Sequence, residues 1–180
     1  MSNDTKNILN PGGSPNHSIS TEVINLLGRL HTIEHTTAFM KLKSLNRDSV
    51  IEVLSSILKD SDSEKRALAV EALMNMDTRQ TLDLVLPLLD DPDSEVRWTI
   101  CYWLCDDGDF RAIEPLIKIL KEDNNVNVST QAAIALGASG DSRARDVLIW
   151  AKERDFEIDF HGHTVSHATT IALRNLDERL

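Results

Sequence analysis

The stretch Asp91-Pro92-Asp93-Ser94-Glu95-Val96-Arg97 reads as a turn that opens a helix. Asp91 is a candidate N-cap, and Pro92 suits the first helical position, where its missing N–H costs nothing. Asp93 and Glu95 then place negative charge in the first turn, where the helix dipole favours it. Asp60-Ser61-Asp62-Ser63-Glu64 repeats this design 31 residues earlier. The recurrence extends outward from there. Leu58, Leu89 and Leu120 are spaced by 31, as are Ile57, Leu88 and Ile119, and Leu54, Val85 and Leu116. One period earlier the same positions hold Val23, Leu26 and Leu27. Leu42, Leu73, Leu104 and Leu136 form another register at 31, 31 and 32, and Leu173 follows 37 later. Asp77-Thr78-Arg79, Asp109-Phe110-Arg111 and Asp141-Ser142-Arg143 punctuate the chain every 32 residues.

Each period contains two helical patterns. The first carries apolar residues at i, i+3 and i+4, and the second starts at the acidic turn. A lone helix pair cannot bury its apolar stripe, whereas stacked pairs bury it against their neighbours. The registers predict pairs at about 20–46, 47–77, 78–109, 110–141 and 142–177. Gly137 or Gly140 is expected to end a second helix. Residues 1–19 are rich in Asn, Ser, Gly and Pro without apolar period and are predicted as a flexible tail, leaving 20–180 as one domain.

Pro92-Asp93-Ser94-Glu95-Val96-Arg97 resembles the HEAT repeat, in the short form found in phycobilin lyase subunits. Ala132-Ala133-Ile134-Ala135-Leu136-Gly137, followed by Gly140-Asp141, resembles the second helix and exit turn of the same unit. The resemblance covers about 20–177. It implies an all-α fold, a right-handed α-solenoid of about five antiparallel helix pairs. It also implies a ladder of Asp in the inter-helix turn and Arg early in the second helix. Asp60 with Arg66 and Asp91 with Arg97 match that pattern at a spacing of six, while His35, Ser129 and Ser166 replace the Arg in the first, fourth and fifth units. Pro87 matches the family's kink-forming proline.

The register sorts second-helix residues by direction. Ile100, Cys101, Trp103 and Leu104, with Ala69, Val70, Ala72, Leu73, Ala132, Ala133, Ala135 and Leu136, are expected to pack between helices. The other positions are expected to line a concave groove. Seven of them are the candidate partner-binding residues: Leu68, Glu71, Trp98, Tyr102, Ile134, His167 and Ile171. Trp98 and Tyr102 are i and i+4 and project together. An apolar stripe with an aromatic centre marks a contact surface.

The chain carries 19 Lys and Arg against 29 Asp and Glu, a net charge of −10. That balance argues against general nucleic-acid binding, which draws its affinity from cations on phosphates, and against an anionic membrane surface. It favours a partner with a basic surface. No apolar run reaches the roughly 20 residues of a membrane span. No basic-then-apolar leader is visible, and the two cysteines, Cys101 and Cys105, form no disulfide framework, so a reducing cytoplasmic setting is expected.

Motifs for chemistry are sparse. His31-Thr32-Ile33-Glu34-His35 matches H-x-x-E-H, but residues 29–33 fall in a turn, so the two His do not share a helix face. His161, His163 and His167 lie within seven residues, and His163 and His167 have an i, i+4 spacing that can chelate zinc once helical; a solvated loop leading into a final helix is the expected reading. The repeated His-Glu dipeptides of HEAT-like iron hydroxylases are missing, as is the basic face of HEAT-like DNA glycosylases. No catalytic or metal-binding residue is assigned and no cofactor is expected. The reading is a non-catalytic scaffold that holds a protein or peptide in its groove. The alternative implied by the lyase resemblance is a subunit that attaches or handles bilins.

Overall fold

The computed structural model describes residues 15–179 apart from 31, 33, 108, 154–161 and 163. The described residues are almost entirely helical. The helices are α1 (Pro15–Leu27), α2 (His35–Ser44), α3 (Arg47–Ile57), α4 (Ser63–Val85), α5 (Ser94–Asp107), α6 (Ile113–Glu122), α7 (Val126–Ser139), α8 (Ala144–Lys152) and α9 (Val165–Arg179). Short 3-10 segments at Leu86–Asp90 and Phe110–Ala112 complete the chain's helical run.

The chain divides into two compact units, Met1–Val53 and Leu54–Leu180, with the boundary inside α3. This differs from the division expected at residue 20. In the first unit, α1 packs on α2 around buried Val23, Leu26, Leu27, Ala38, Phe39 and Leu42. Helix α1 begins at Pro15, inside the stretch expected as tail. Proline is compatible with a first turn, and Ile19 extends the Val23 and Leu26 stripe backward by one turn. Residues 1–14 lie outside the described residues.

The second unit is a two-layered stack. The inner row runs α4, α5, α7, α9, each packed on the next, and the outer row packs α6 on α7, α8 on α9 and α6 on α8. The residues expected between helices are buried, from Ala69, Val70, Ala72 and Leu73 through Ile100, Cys101 and Leu104 to Ala132, Ala133, Ala135 and Leu136. Trp103 is the exception, being only half-buried.

The exit turns differ from one another for local reasons. Gly140 closes α7 in the left-handed region at φ 68°, where an L side chain is strained. Gly137 has another role: a Cβ there would lie 2.4 Å from Ala172 Cα, so glycine lets α7 and α9 meet backbone to backbone. The predicted break at Asp77-Thr78-Arg79 has no glycine, and helical structure continues through it as α4. The axis nevertheless turns there. Thr81 Oγ1 donates to Leu73 O at 2.9 Å, whereas eight residues of straight helix span about 12 Å. The two halves of α4 therefore serve as the second helix of one pair and the first helix of the next. Pro87 cannot donate an N–H to the ladder, and the chain tightens into 3-10 geometry at Leu86–Asp90.

The turn quoted at the outset is a double cap. Asp91 is not the N-cap of α5. Its carboxylate accepts from Asp93 N–H at 2.9 Å, and Asp93 in turn accepts from Glu95 N–H at 2.9 Å, at the start of the helix. Asp60 and Asp62 repeat the pair with the N–H groups of Asp62 and Glu64, and Asp123 and Asn125 repeat it with those of Asn125 and Asn127. The first Asx folds the turn and the second starts the helix.

Candidate functional site

The double caps hold a ladder along one edge of the second unit. Arg66 Nε and Nη2 donate to Asp91 Oδ2 and Oδ1 at 2.8 and 2.7 Å. Arg97 makes the same fork with Asp123 at 2.6 and 2.9 Å. The Asp–Arg spacing of six records a different bond, from Arg66 Nη1 to the main-chain oxygen of Asp60 and from Arg97 Nη1 to that of Asp91. Each guanidinium thus grips its own turn by the carbonyl and the next turn by the carboxylate. Where the fourth unit has Ser129, the hydroxyl keeps the carbonyl bond, to Asp123 O at 3.4 Å, and the forward rung ends.

The opposite edge carries rungs that reach backward. Arg111 forks Asp109 and extends to Asp83 Oδ1 at 2.8 Å and Arg79 O at 2.8 Å. Arg143 forks Asp141 and reaches Glu114 at 3.3 Å. These guanidiniums hold Asp109 and Asp141 below the usual carboxylate range. The Glu95 N–H and the Ser63 hydroxyl do the same for Asp93. Both edges thus commit their guanidiniums to holding neighbouring turns together.

The inner-helix face carries the candidate binding residues. On α5 the rings of Trp98 and Tyr102 stack, with centroids 5.3 Å apart and planes 22° from parallel. Trp103 meets Tyr102 edge-on at 6.2 Å. Tyr102 is 51% exposed and Trp98 is half-buried. Ile171 on α9 is 37% exposed, Ile134 on α7 is half-buried, and Glu71 on α4 is half-buried. His167 is exposed in the first turn of α9, where its N–H bonds Thr164 Oγ1 at 3.0 Å.

Leu68 does not belong to this surface. It is 7% exposed, and its register mates Thr99 and Ala168 are also buried. The open row is therefore Glu71, Tyr102, Ile134 and Ile171, one helical turn beyond Leu68. Ala67 and Thr130, in register with Trp98 and His167, are buried too. Thr130 Oγ1 is buried without a hydrogen-bond partner among the described residues.

Other candidates separate. Cys101 is buried, which pushes its thiol pKa up and makes it a poor nucleophile. Cys105 Sγ accepts from Gln131 Nε2 at 3.0 Å and donates to Cys101 O at 3.4 Å. His35 opens α2 and packs edge-on against Phe39 at 4.8 Å. His31, His161 and His163 lie outside the described residues. Among the described residues no group of three metal-ligating side chains converges, and no helix is long and apolar enough to cross a membrane.

The family model for HEAT repeats matches residues 22–94 and 82–158. Among solved structures, the chain is similar to an engineered protein at a TM-score of 0.53 and 20% identity, over 91% of this chain and 82% of that one. It is also similar to a designed armadillo repeat protein in complex with the peptide (KR)4, at a TM-score of 0.49 and 16% identity, over 90% and 85%. A comparison with curated proteins gave no match. At 20% identity the first of these likenesses speaks for the fold alone. The two family matches overlap on the turn at 82–94 and cover the stacked pairs that the double caps and Arg forks hold together, and on that ground the chain belongs to the HEAT repeat family.

Proposed function

We propose that the second unit is an interaction module that holds a segment of a partner protein along its inner-helix face, anchored by the Trp98–Tyr102 stack. The exposed aromatic stack carries the reading. Aromatic side chains anchor interfaces because they bury large area at little conformational cost, and here half of Tyr102 is left in solvent by the fold itself. Ile134 and Ile171 continue the row along α7 and α9. The two edges, by contrast, spend their charged groups on holding the stack together.

Selection of random dodecapeptides on the full chain tests this reading. Selected peptides should lose at least about tenfold in affinity, or about 1.4 kcal/mol, on Tyr102→Ala and more on Trp98→Ala/Tyr102→Ala. The thermal midpoint of Tyr102→Ala should stay close to that of the parent, because this ring is half in solvent. Unchanged affinity in both variants refutes the assignment. The bilin-handling alternative has its own readout in the same protein. A visible absorption shift on mixing with a bilin, lost in the double variant, would favour it over the peptide reading.

A further inference from the structure

We infer that the segment held on this face presents a cationic side chain, an arginine or lysine, to the Trp98–Tyr102 stack; the inference rests on the groove reading above. Three observations support it. The first is where the charge lies. Residues 1–53 hold five Lys and Arg and five Asp and Glu, so the whole net charge of −10 belongs to residues 54–180.

The second is how that unit uses its cations. Arg66, Arg97, Arg111 and Arg143 are each drawn into forks with carboxylates on the two edges. Lys118 and Arg145 are paired with Asp90 and Asp177. Two carboxylates at the start of the inner helices α4 and α5 are not matched in this way. Glu64 and Glu95 are exposed in the first turns of α4 and α5, and neither carboxylate has a partner among the described residues.

The third is placement. Glu95, Trp98 and Tyr102 are at i, i+3 and i+7 of α5, so the carboxylate and both rings share one helix face. Glu71 holds the register position of Tyr102 on α4, which packs directly on α5. A cation over an indole or phenol face is attracted by the ring quadrupole, and a nearby carboxylate adds to that attraction. Arg174 lies at the α9 end of the same face, one turn beyond Ile171, so the acidic end is the α4–α5 end. The cationic side chain is accordingly seated there, and apolar side chains lie toward Ile134 and Ile171.

The test uses the full chain and two labelled nonapeptides. One alternates Arg with Leu, and the other has citrulline at every Arg, which keeps the shape and removes the charge. Fluorescence anisotropy at low salt should show the Arg probe binding at least about tenfold tighter than the citrulline probe. Glu95→Gln should weaken the Arg probe several-fold and leave the citrulline probe unchanged. Equal binding of the two probes, both weakened by Tyr102→Ala, would overturn the cation inference while leaving the groove reading standing. Tight Arg-probe binding that ignores both Tyr102→Ala and Glu95→Gln would place it elsewhere on the acidic surface and overturn the inference. So would failure of the Arg probe to bind at all.

Discussion

Gly137→Ala isolates the closest approach in the stack. In helix propensity alone the change is favourable, because alanine in a helix interior is about 1 kcal/mol better than glycine. The neighbouring helix reverses the sign. A Cβ at residue 137 would lie 2.4 Å from Ala172 Cα, 2.6 Å from Ala172 Cβ and 2.7 Å from Ala172 O. Non-bonded carbons settle at about 3.5–4.0 Å, so α9 must withdraw by roughly 1 Å. Two of the three opposing atoms belong to backbone, and no rotamer change relieves them. Overpacking of this kind costs about 1–3 kcal/mol, occasionally more, and a backbone clash belongs at the upper end. The net expectation is a loss of about 2 kcal/mol after the gain in propensity. In urea this lowers the unfolding midpoint by about 1 M at a slope near 2 kcal/mol/M. Adding Ala172→Gly removes only the 2.6 Å contact and leaves those at 2.4 and 2.7 Å, so it should not restore stability. The assay is urea unfolding followed by helical ellipticity. A Gly137→Ala protein as stable as the parent, or rescue by Ala172→Gly, would refute the claim that this glycine exists to let two backbones meet.

Three further outcomes follow from the same physics. Asp123→Ala leaves the half-buried Arg97 guanidinium without its fork, a loss of about 3 kcal/mol in chemical unfolding, whereas Lys118→Ala, which opens an exposed pair, should leave the midpoint unchanged. Thr130→Val replaces a buried, unpartnered hydroxyl by a methyl of the same shape and should gain about 1 kcal/mol; Thr81→Val strips the bond to Leu73 O and should lose about as much. The side chains of Asp93, Asp109 and Asp141 titrate below their ordinary value in the folded state. Their contribution is therefore present above the unfolded carboxylate pKa near 4 and lost as pH falls through the lowered values. The thermal midpoint should be flat from pH 7 to 5 and drop below about pH 4, and a midpoint that rises on acidification would contradict the capping roles.

Much of the second unit was legible because its signals are periodic. Apolar positions recurring at 31 and 32 mark the faces that must be buried, and burial follows them from Ala69 to Leu136. Where the reading failed, it relied on one residue's neighbours instead of the period. Asp91 looked like an N-cap because proline follows it, yet Asp60, Asp91 and Asp123 share the same spacing and the same role. Asp123 continues that series at steps of 31 and 32, although Asn-Asn and not Pro-Asp follows it. The Asp–Arg pairs were matched within a turn because six residues separate them. The fork instead spans 25 or 26 residues, a distance that only stacking creates. Leu68 shows the limit of a helical wheel at a seam. Its register places it on the open row, yet it is 7% exposed, and a single sequence does not show what covers such a position.

The two ladders also bear on how the binding face stays available. A stack of helix pairs needs cations on its edges, because each turn gathers carboxylates for capping and leaves them close together. Arg66 and Arg97 reach forward and Arg111 and Arg143 reach back, so every turn between α4 and α8 is tied to a neighbour by a guanidinium. Arginine suits this task, since its planar fork meets a carboxylate with two bonds and a carbonyl with the rest. The consequence is a division of charge within one unit. Asp91 and Asp123 are neutralised by ladder arginines, whereas Glu64 and Glu95 are not, although Asp91 and Glu95 come from the same acidic turn. The capping turns that start α4 and α5 thus also place carboxylates at the mouth of the inner face. A substitution that frees a ladder arginine, such as Asp123→Ala, would disturb that division as well as the stack.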